Sequence, residues 1–314
     1  MSTDTHRYRK GYRPSPAVLA EVKKFSQTRP LTVALLALAY HGSIWAASAI
    51  GAYAWWVLPL PVALVLYGIV AVFNARQIRV LELMVHDGSH RNFMRSSKRW
   101  NTWLTNWGAA YWVGQEVGRY WDSHKAHHPP TFGSAEDPDL QRYKKHGIET
   151  WDRSALIPFV KGLMARLPGY VGEYYRTVGS TPTVLVTSLA CHGAFYILPL
   201  SVVLTPGLAL ALWGGFWLLP MSGPLQVIRL IAEGEMHVYT RGETEFDATV
   251  NNVGWRHWLV HPYWDAWHII HHLFPSVPQW RHKKLHKRLC ELDPSQYGRY
   301  WYRMRIVQDP VRAS

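Results

Sequence analysis

Two long stretches without a formal charge constrain this chain more than any other feature. Residues 31–74 contain no Asp, Glu, Lys or Arg, and neither do residues 181–228. Each stretch is long enough for two membrane crossings of about 20 residues joined by a turn. A soluble core rarely holds two such stretches, so their length points to a bilayer. The mean hydropathy of −0.14 resembles that of a soluble protein, because it averages over unevenly placed apolar residues. The first stretch divides into 31–50 and 53–73, with Gly51 as the turn; the second divides into 182–204 and 208–228, turning at Pro206-Gly207. A signal peptide is not expected, since mostly polar sequence precedes the first stretch and further spans follow it.

Charge sets the expected orientation. All 34 Lys and Arg lie in the N-terminal arm, the middle segment or the C-terminal segment, and none lies in a hairpin turn. The positive-inside rule then places both termini and the middle segment in the cytoplasm. The predicted fold is all-α and integral to the membrane: four transmembrane helices in two hairpins, with a cytoplasmic helical domain. As a single domain, the chain divides into an arm (1–30), a first hairpin (31–73), a middle segment (74–181), a second hairpin (182–228) and a C-terminal segment (229–314). The net charge of +13 fits contact with anionic headgroups, or steering of an acidic carrier protein, better than nucleic-acid binding. Cys191 and Cys290 suggest neither a disulfide framework nor a cysteine metal site.

Of the 17 histidines, eight recur at helical spacing. They are His86 and His90; His124, His127 and His128; and His268, His271 and His272. Residues at i, i+3 and i+4 share a helix face, so each group is expected to present its rings to a common point. Neutral imidazole suits iron, zinc, copper and nickel. Eight rings exceed what one four-coordinate zinc uses and suit two octahedral metals with positions open for O2. His237, just after the fourth span, is the favoured ninth ligand, with His257 and His261 as competitors. His6, His146, His282 and His286 read as surface or local packing, and intramembrane His41 and His192 as helix–helix hydrogen bonds. Asp87, Asp265, Asp137, Asp139 and Glu233 are candidates to orient the ring N–H groups. Glu235 is a weaker candidate.

These residues resemble the membrane fatty acid desaturase superfamily over nearly the whole chain beyond the arm. The stretch from His268 through His271-His272-Leu273-Phe274-Pro275 to Pro278 looks like the family's third histidine box and its tail. The second box followed by Asp137-Pro138-Asp139 is similar to bacterial members. Glu233 to His237 resembles the region that supplies a ninth histidine. Trp264-Asp265-Ala266-Trp267 stands where many members carry an Asn-containing stretch. The resemblance implies two non-haem iron ions, O2 as co-substrate, and two electrons from a separate donor: ferredoxin, rubredoxin or cytochrome b5. No His-Pro-Gly-Gly haem motif occurs, so a fused cytochrome b5 domain is not expected.

The expected activity is therefore O2-dependent desaturation of a fatty acyl or other lipid chain. The alternative is hydroxylation or ketone formation on a lipid, carotenoid or small molecule. A metal transporter fits less well, because transporters place their sites near mid-membrane. A non-oxidative metalloenzyme on the same scaffold is the remaining alternative. An apolar tunnel is expected beneath the metal site, with Trp100, Trp103, Trp107, Trp112 and Trp121 as candidate lining. Residues 155–167 have the spacing of an amphipathic helix on the membrane surface that could gate a lipid.

Overall fold

A computed structural model describes residues 11–179, 181–239, 244–252, 257–300, 302–305 and 308–312. Four helices are long and apolar enough to cross a membrane. With the shorter helices they run, in chain order, α1 (Pro16–Phe25), α2 (Pro30–Val57), α3 (Leu60–Ser89), α4 (Lys98–Gly108), α5 (Val117–His124), α6 (Pro138–His146) and α7 (Leu156–Gly179). The second half adds α8 (Pro182–Val203), α9 (Pro206–Met236), α10 (His268–Leu273) and α11 (His282–Leu292). A two-stranded antiparallel hairpin, Tyr302–Arg305 with Gln308–Arg312, is the only sheet among the described residues. His6 lies outside them.

Proline starts each crossing. It lies in the first turn of α2, α3, α8 and α9, where its fixed φ suits a helix and its missing N–H costs nothing. The side chains on the outside of the bundle are apolar, the reverse of a soluble protein: Val202 and Val203 are each 81% exposed and Leu31 is 73% exposed. That pattern is stable only against lipid. Inside, polar side chains satisfy backbone groups. α9 passes through a π-turn at Gly214–Leu218, and its freed carbonyls are taken up by α3. There Tyr67 Oη donates to Gly215 O at 2.7 Å, and Asn74 Nδ2 donates to Phe216 O at 2.9 Å. His41 Nε2 donates to Gly108 O at 3.0 Å and His192 Nε2 to Trp112 O at 3.2 Å. The two intramembrane histidines thus hold the end of α4 and the segment after it against the bundle, rather than linking one spanning helix to another.

Two turn assignments are corrected. Gly51 lies inside α2, and the first hairpin turns at Leu58-Pro59. A Cβ on Gly51 would fall 2.6 Å from Phe216 Cε1, so the glycine serves close helix packing rather than a turn. The second hairpin turns at Leu204-Thr205, and Pro206 already belongs to α9. The charge-free windows also underestimate two helices. α3 has 30 residues and is about 45 Å long at 1.5 Å per residue; α9 has 31 residues of similar path length, with a break at Gly223 before Pro224. A hydrocarbon core is about 30 Å thick, so both helices overrun it. The overruns carry His86 on α3 and Glu233 on α9.

α4 lies across the end of α3. Asn101 Nδ2 donates to Gly88 O at 2.8 Å, and Asn101 Oδ1 accepts from the amides of Phe93 and Met94. α7 covers the opposite side. Its Phe159 is buried against Trp151, while Leu156, Ile157, Val160 and Met164 form an exposed apolar stripe. A Cβ on Gly88 would lie 2.1 Å from Thr105 Oγ1. Gly88→Ala is therefore expected to destabilise the protein by about 1–3 kcal/mol through overpacking. Thermal unfolding in detergent reads this, and an unchanged transition would show that α4 does not sit against α3 as described.

Candidate metal centre

The overrun of α3 delivers His86, and His90 follows as its C-cap residue. α5 ends at His124, a tight 3-10 turn carries Lys125–His127, and His128 is already extended. α10 carries His268, His271 and His272. α9 stops at Met236, one residue before His237, so the helix does not continue through His237. That residue forms a short antiparallel bridge with Thr249, and the bridge turns its ring inward. Eight of these nine rings are buried, and His90 is partly so.

The rings assemble into two sets. In the first, Nε2 atoms of His86 and His271 lie 3.0 Å apart, those of His90 and His124 3.1 Å, those of His124 and His128 3.0 Å, and those of His128 and His271 3.2 Å. In the second, the spacings are 3.2 Å for His127 and His237, 3.1 Å for His237 and His268, and 3.2 Å for His268 and His272. Boxes two and three are thus divided between the sets, contrary to the expectation that each box serves one point. The division follows one pattern in both boxes: the i and i+4 rings, His124 with His128 and His268 with His272, serve one set, and the i+3 ring, His127 or His271, serves the other. His261, a competitor for the ninth position, lies elsewhere: its Nε2 is 3.1 Å from Glu235. The side chain of His257 lies outside the described residues.

A metal fits these sets on chemical grounds. His127 Nδ1 donates to Asp137 Oδ1 at 2.9 Å and His272 Nδ1 to Glu245 Oε1 at 2.8 Å. With its hydrogen on Nδ1, neutral His272 presents a bare lone pair at Nε2, and His127 does so once its second proton is lost. Lone pairs facing one another at about 3 Å repel unless a cation lies between them. Ligands about 2.1 Å from a metal stand ~3.0 Å apart at right angles and ~3.4 Å apart in a tetrahedron. The observed spacings match the right-angled case, which belongs to five- or six-coordinate metals rather than structural zinc.

The acidic candidates divide. Asp137 holds His127 and also caps α6 through the amides of Asp139 and Leu140. Asp139 Oδ2 lies 3.4 Å from His127 Nε2, on the side where the second set converges. Asp265 lies 3.8 Å from His268 Nδ1 and is shared with Arg79 and His261. Asp87 and Glu233 touch none of the nine rings. The Asp87 carboxylate accepts from Gln279 N and Asn92 Nδ2, tying the first box to the loop after the third. Glu233 belongs to an ion network with Arg142 and Arg229. Two residues at the rings went unnoticed in the sequence: Glu245, and Gln279, whose amide is 2.9 Å from His86 Nδ1. Neither stands at a box spacing. His146, His282 and His286 have local partners in Glu173, Val277 O and Tyr297.

Burial holds the rings of His124, His128, His237, His271 and His272 well below the usual imidazole range, and holds His90 and His268 down at about 3. These rings are neutral at pH 7. Burial pulls His127 the same way, but the Asp139 and Asp137 carboxylates outweigh it and push that ring up to about 9. Metal entering the second set must therefore displace a proton below that pH. Zinc titrations of the metal-free protein are expected to tighten about tenfold per pH unit between pH 6 and 8 and to level off above about 9. Asp139→Asn is expected to lower the pH of that plateau. An affinity that does not vary with pH would contradict the protonated ring.

Comparison with known proteins follows this geometry. No curated protein and no solved structure gives a significant match. The sequence description of the fatty acid desaturase family does match, over residues 65–303. That stretch contains all nine converging histidines and most of the membrane-spanning sequence. This integral-membrane chain, with histidine clusters suited to metal, belongs to the fatty acid desaturase family.

Proposed function

We propose that the protein is a membrane di-iron oxidase that uses O2 and two external electrons to oxidise an aliphatic carbon–hydrogen bond. The observation that carries this reading is the pairing of a five-histidine set with a four-histidine set. His86, His90, His124, His128 and His271 would hold one iron; His127, His237, His268 and His272 would hold the other. Iron bound there supplies the redox chemistry that O2 activation needs. Desaturation removes two hydrogens and, with O2, two electrons and two protons, yields an alkene and two waters. Hydroxylation consumes the same inputs and yields an alcohol and one water.

The protein's own part is to position and enclose. Asp137 and Glu245 fix the orientation of two rings and raise their basicity as ligands. Phe132 packs on His127, His237 and His272, and Tyr120 on His124, restricting water at the ring edges. The family favours a lipid chain as substrate, with a separate ferredoxin, rubredoxin or cytochrome b5 as electron donor. The charge bias supports a cytoplasmic position for the termini and the metal centre. We read residues 1–314 as one desaturase-like domain divided as the sequence suggests. Oxidation of a small polar molecule is the second reading. One observation favours it: the apolar cavity beside Trp103, Trp107 and Trp112 borders none of the nine histidines, while a charged cavity borders four of them. Trp100 and Trp121 line neither that apolar cavity nor the charged one.

Purified protein from iron-replete cells is expected to contain about two iron atoms per chain, and His271→Ala to lose iron together with activity. Elemental analysis checks the first, and mass spectrometry of lipids and metabolites from expressing cells checks the second. A two-hydrogen loss identifies desaturation and a one-oxygen gain hydroxylation. Stoichiometric zinc without iron, or turnover that persists without O2, would overturn the oxidase reading.

A further inference from the structure

An apolar groove of about 510 Å³ opens on the side of the bundle, walled by Val33, Ala34 and Trp45 of α2, Trp103 and Trp107 of α4, and Phe195 of α8. None of its lining residues is Asp, Glu, Lys or Arg, and none has a side-chain oxygen. Two of its polar groups are spent inside the protein: His41 Nε2 donates to Gly108 O, and Trp112 Nε1 donates to Trp107 O at 2.9 Å. Leu38, Trp103 and Phe195 are exposed along it, so it is open to the hydrocarbon around the spans. Val33 and Trp45 stand twelve residues apart, about 18 Å along α2. One leaflet of hydrocarbon is about 15 Å deep, half of the whole core. The groove thus matches a single acyl chain in polarity and in length.

The first hairpin brings the start of α2 and the histidine end of α3 to the same side. At that end the groove is flanked by cations. Arg29 precedes Val33 by one helical turn, and Arg95 lies two residues after Phe93, another lining residue. Both arginines are exposed. Arg95 Nη1 donates to Ser26 O at 2.6 Å and Arg281 Nη1 to Phe25 O at 2.7 Å, so both reach the segment that leads into α2. Burial and the nearby Arg29 together pull the Arg281 guanidinium down from its usual range. None of the three forms an ion pair with Asp or Glu among the described residues, and Asp87 acts on Arg95 across the intervening Asn92. Like charges gathered without a counterion favour an anion beside them.

The two features together select the occupant. A free phosphate would use the arginines and leave the groove empty. A neutral lipid would use the groove and leave the arginines without a counterion. We propose that an anionic phospholipid of the leaflet on the metal-centre side is held here, with one acyl chain in the groove and its phosphate against Arg29, Arg95 and Arg281. None of the nine converging histidines borders the groove, so this lipid fills the interval between α2 and α4 and is not the molecule oxidised. The site does not depend on the oxidase reading.

The test uses full-length, metal-loaded protein in mild detergent and native mass spectrometry, with palmitoyl-oleoyl phosphatidylglycerol as probe. Palmitoyl-oleoyl phosphatidylcholine and glycerol 3-phosphate are the comparators. One phosphatidylglycerol per chain is expected to bind at least about tenfold more tightly than phosphatidylcholine, the lower range for charge-assisted hydrogen bonds. Arg29→Gln and Arg95→Gln are each expected to reduce that preference about fivefold, the effect of one basic residue beside an anionic lipid. Ala34→Phe, which fills the groove, is expected to weaken both phospholipids about tenfold with metal content and thermal unfolding unchanged. Arg29→Gln alters an exposed side chain, so it remains informative if the groove variant misfolds. Equal binding of the two phospholipids, glycerol 3-phosphate binding as tightly as phosphatidylglycerol, or indifference of the folded variants would overturn the proposal. So would recovery of the bound chain in desaturated or hydroxylated form after turnover with O2.

Discussion

Everything around the centre answers one electrostatic problem, which is how to hold nine imidazole nitrogens in two sets with neighbours about 3 Å apart. Separate chain segments bring these rings together: the end of α3, the end of α5 with its following turn, the bridge after α9, and α10. Without a cation their lone pairs repel, so local packing must oppose that repulsion. The Asn101 cap on α3, the contact of Asp87 with Gln279, and the bridge between His237 and Thr249 supply this resistance. Metal binding would convert the repulsion into attraction, so the same contacts that strain a metal-free site would position a loaded one.

Charge balance explains the acidic surroundings. Neutral rings leave the charge of bound cations uncompensated, and a low-dielectric site makes that expensive. Asp137, Asp139, Glu245 and Asp265 stand around the second set, each within reach of a ring. Around the first set Glu245 lies within 4.8 Å of a His128 ring nitrogen, and His86 meets the neutral amide of Gln279. The two sets therefore present different electrostatic environments to otherwise similar ligands. Beside them the ion network of Arg79, Glu82, Arg142, Arg229 and Glu233 links the ends of α3 and α9 to α6.

The sequence disclosed what has a period or a length. Charge-free windows located the four spans, and the box spacings with His237 named all nine rings that converge. What it concealed depends on tertiary placement. The i, i+3, i+4 rule puts a box on one helix face, yet in boxes two and three alike the i and i+4 rings serve one set and the i+3 ring the other. Gly51 looked like punctuation because an isolated glycine has no signal separating a turn from a close helix contact. Glu245 and Gln279 reach the rings through tertiary contacts at separations of 27 and 193 residues, which no local pattern encodes. The ion network was overlooked because its members are spread over α3, α6 and α9.

The overrun of α3 and α9 has a mechanical consequence. Both helices rise from the bilayer-embedded bundle, α3 unbroken and α9 with a break at Gly223, and together they act as two posts beneath the metal centre. A lipid environment of different thickness changes how much of each post is wetted and how far the bundle tilts. It does not change the length of the posts, so ring-to-ring distances are decoupled from the membrane. In dissimilar bilayers the height of the centre above the membrane changes while the spacing of its rings does not.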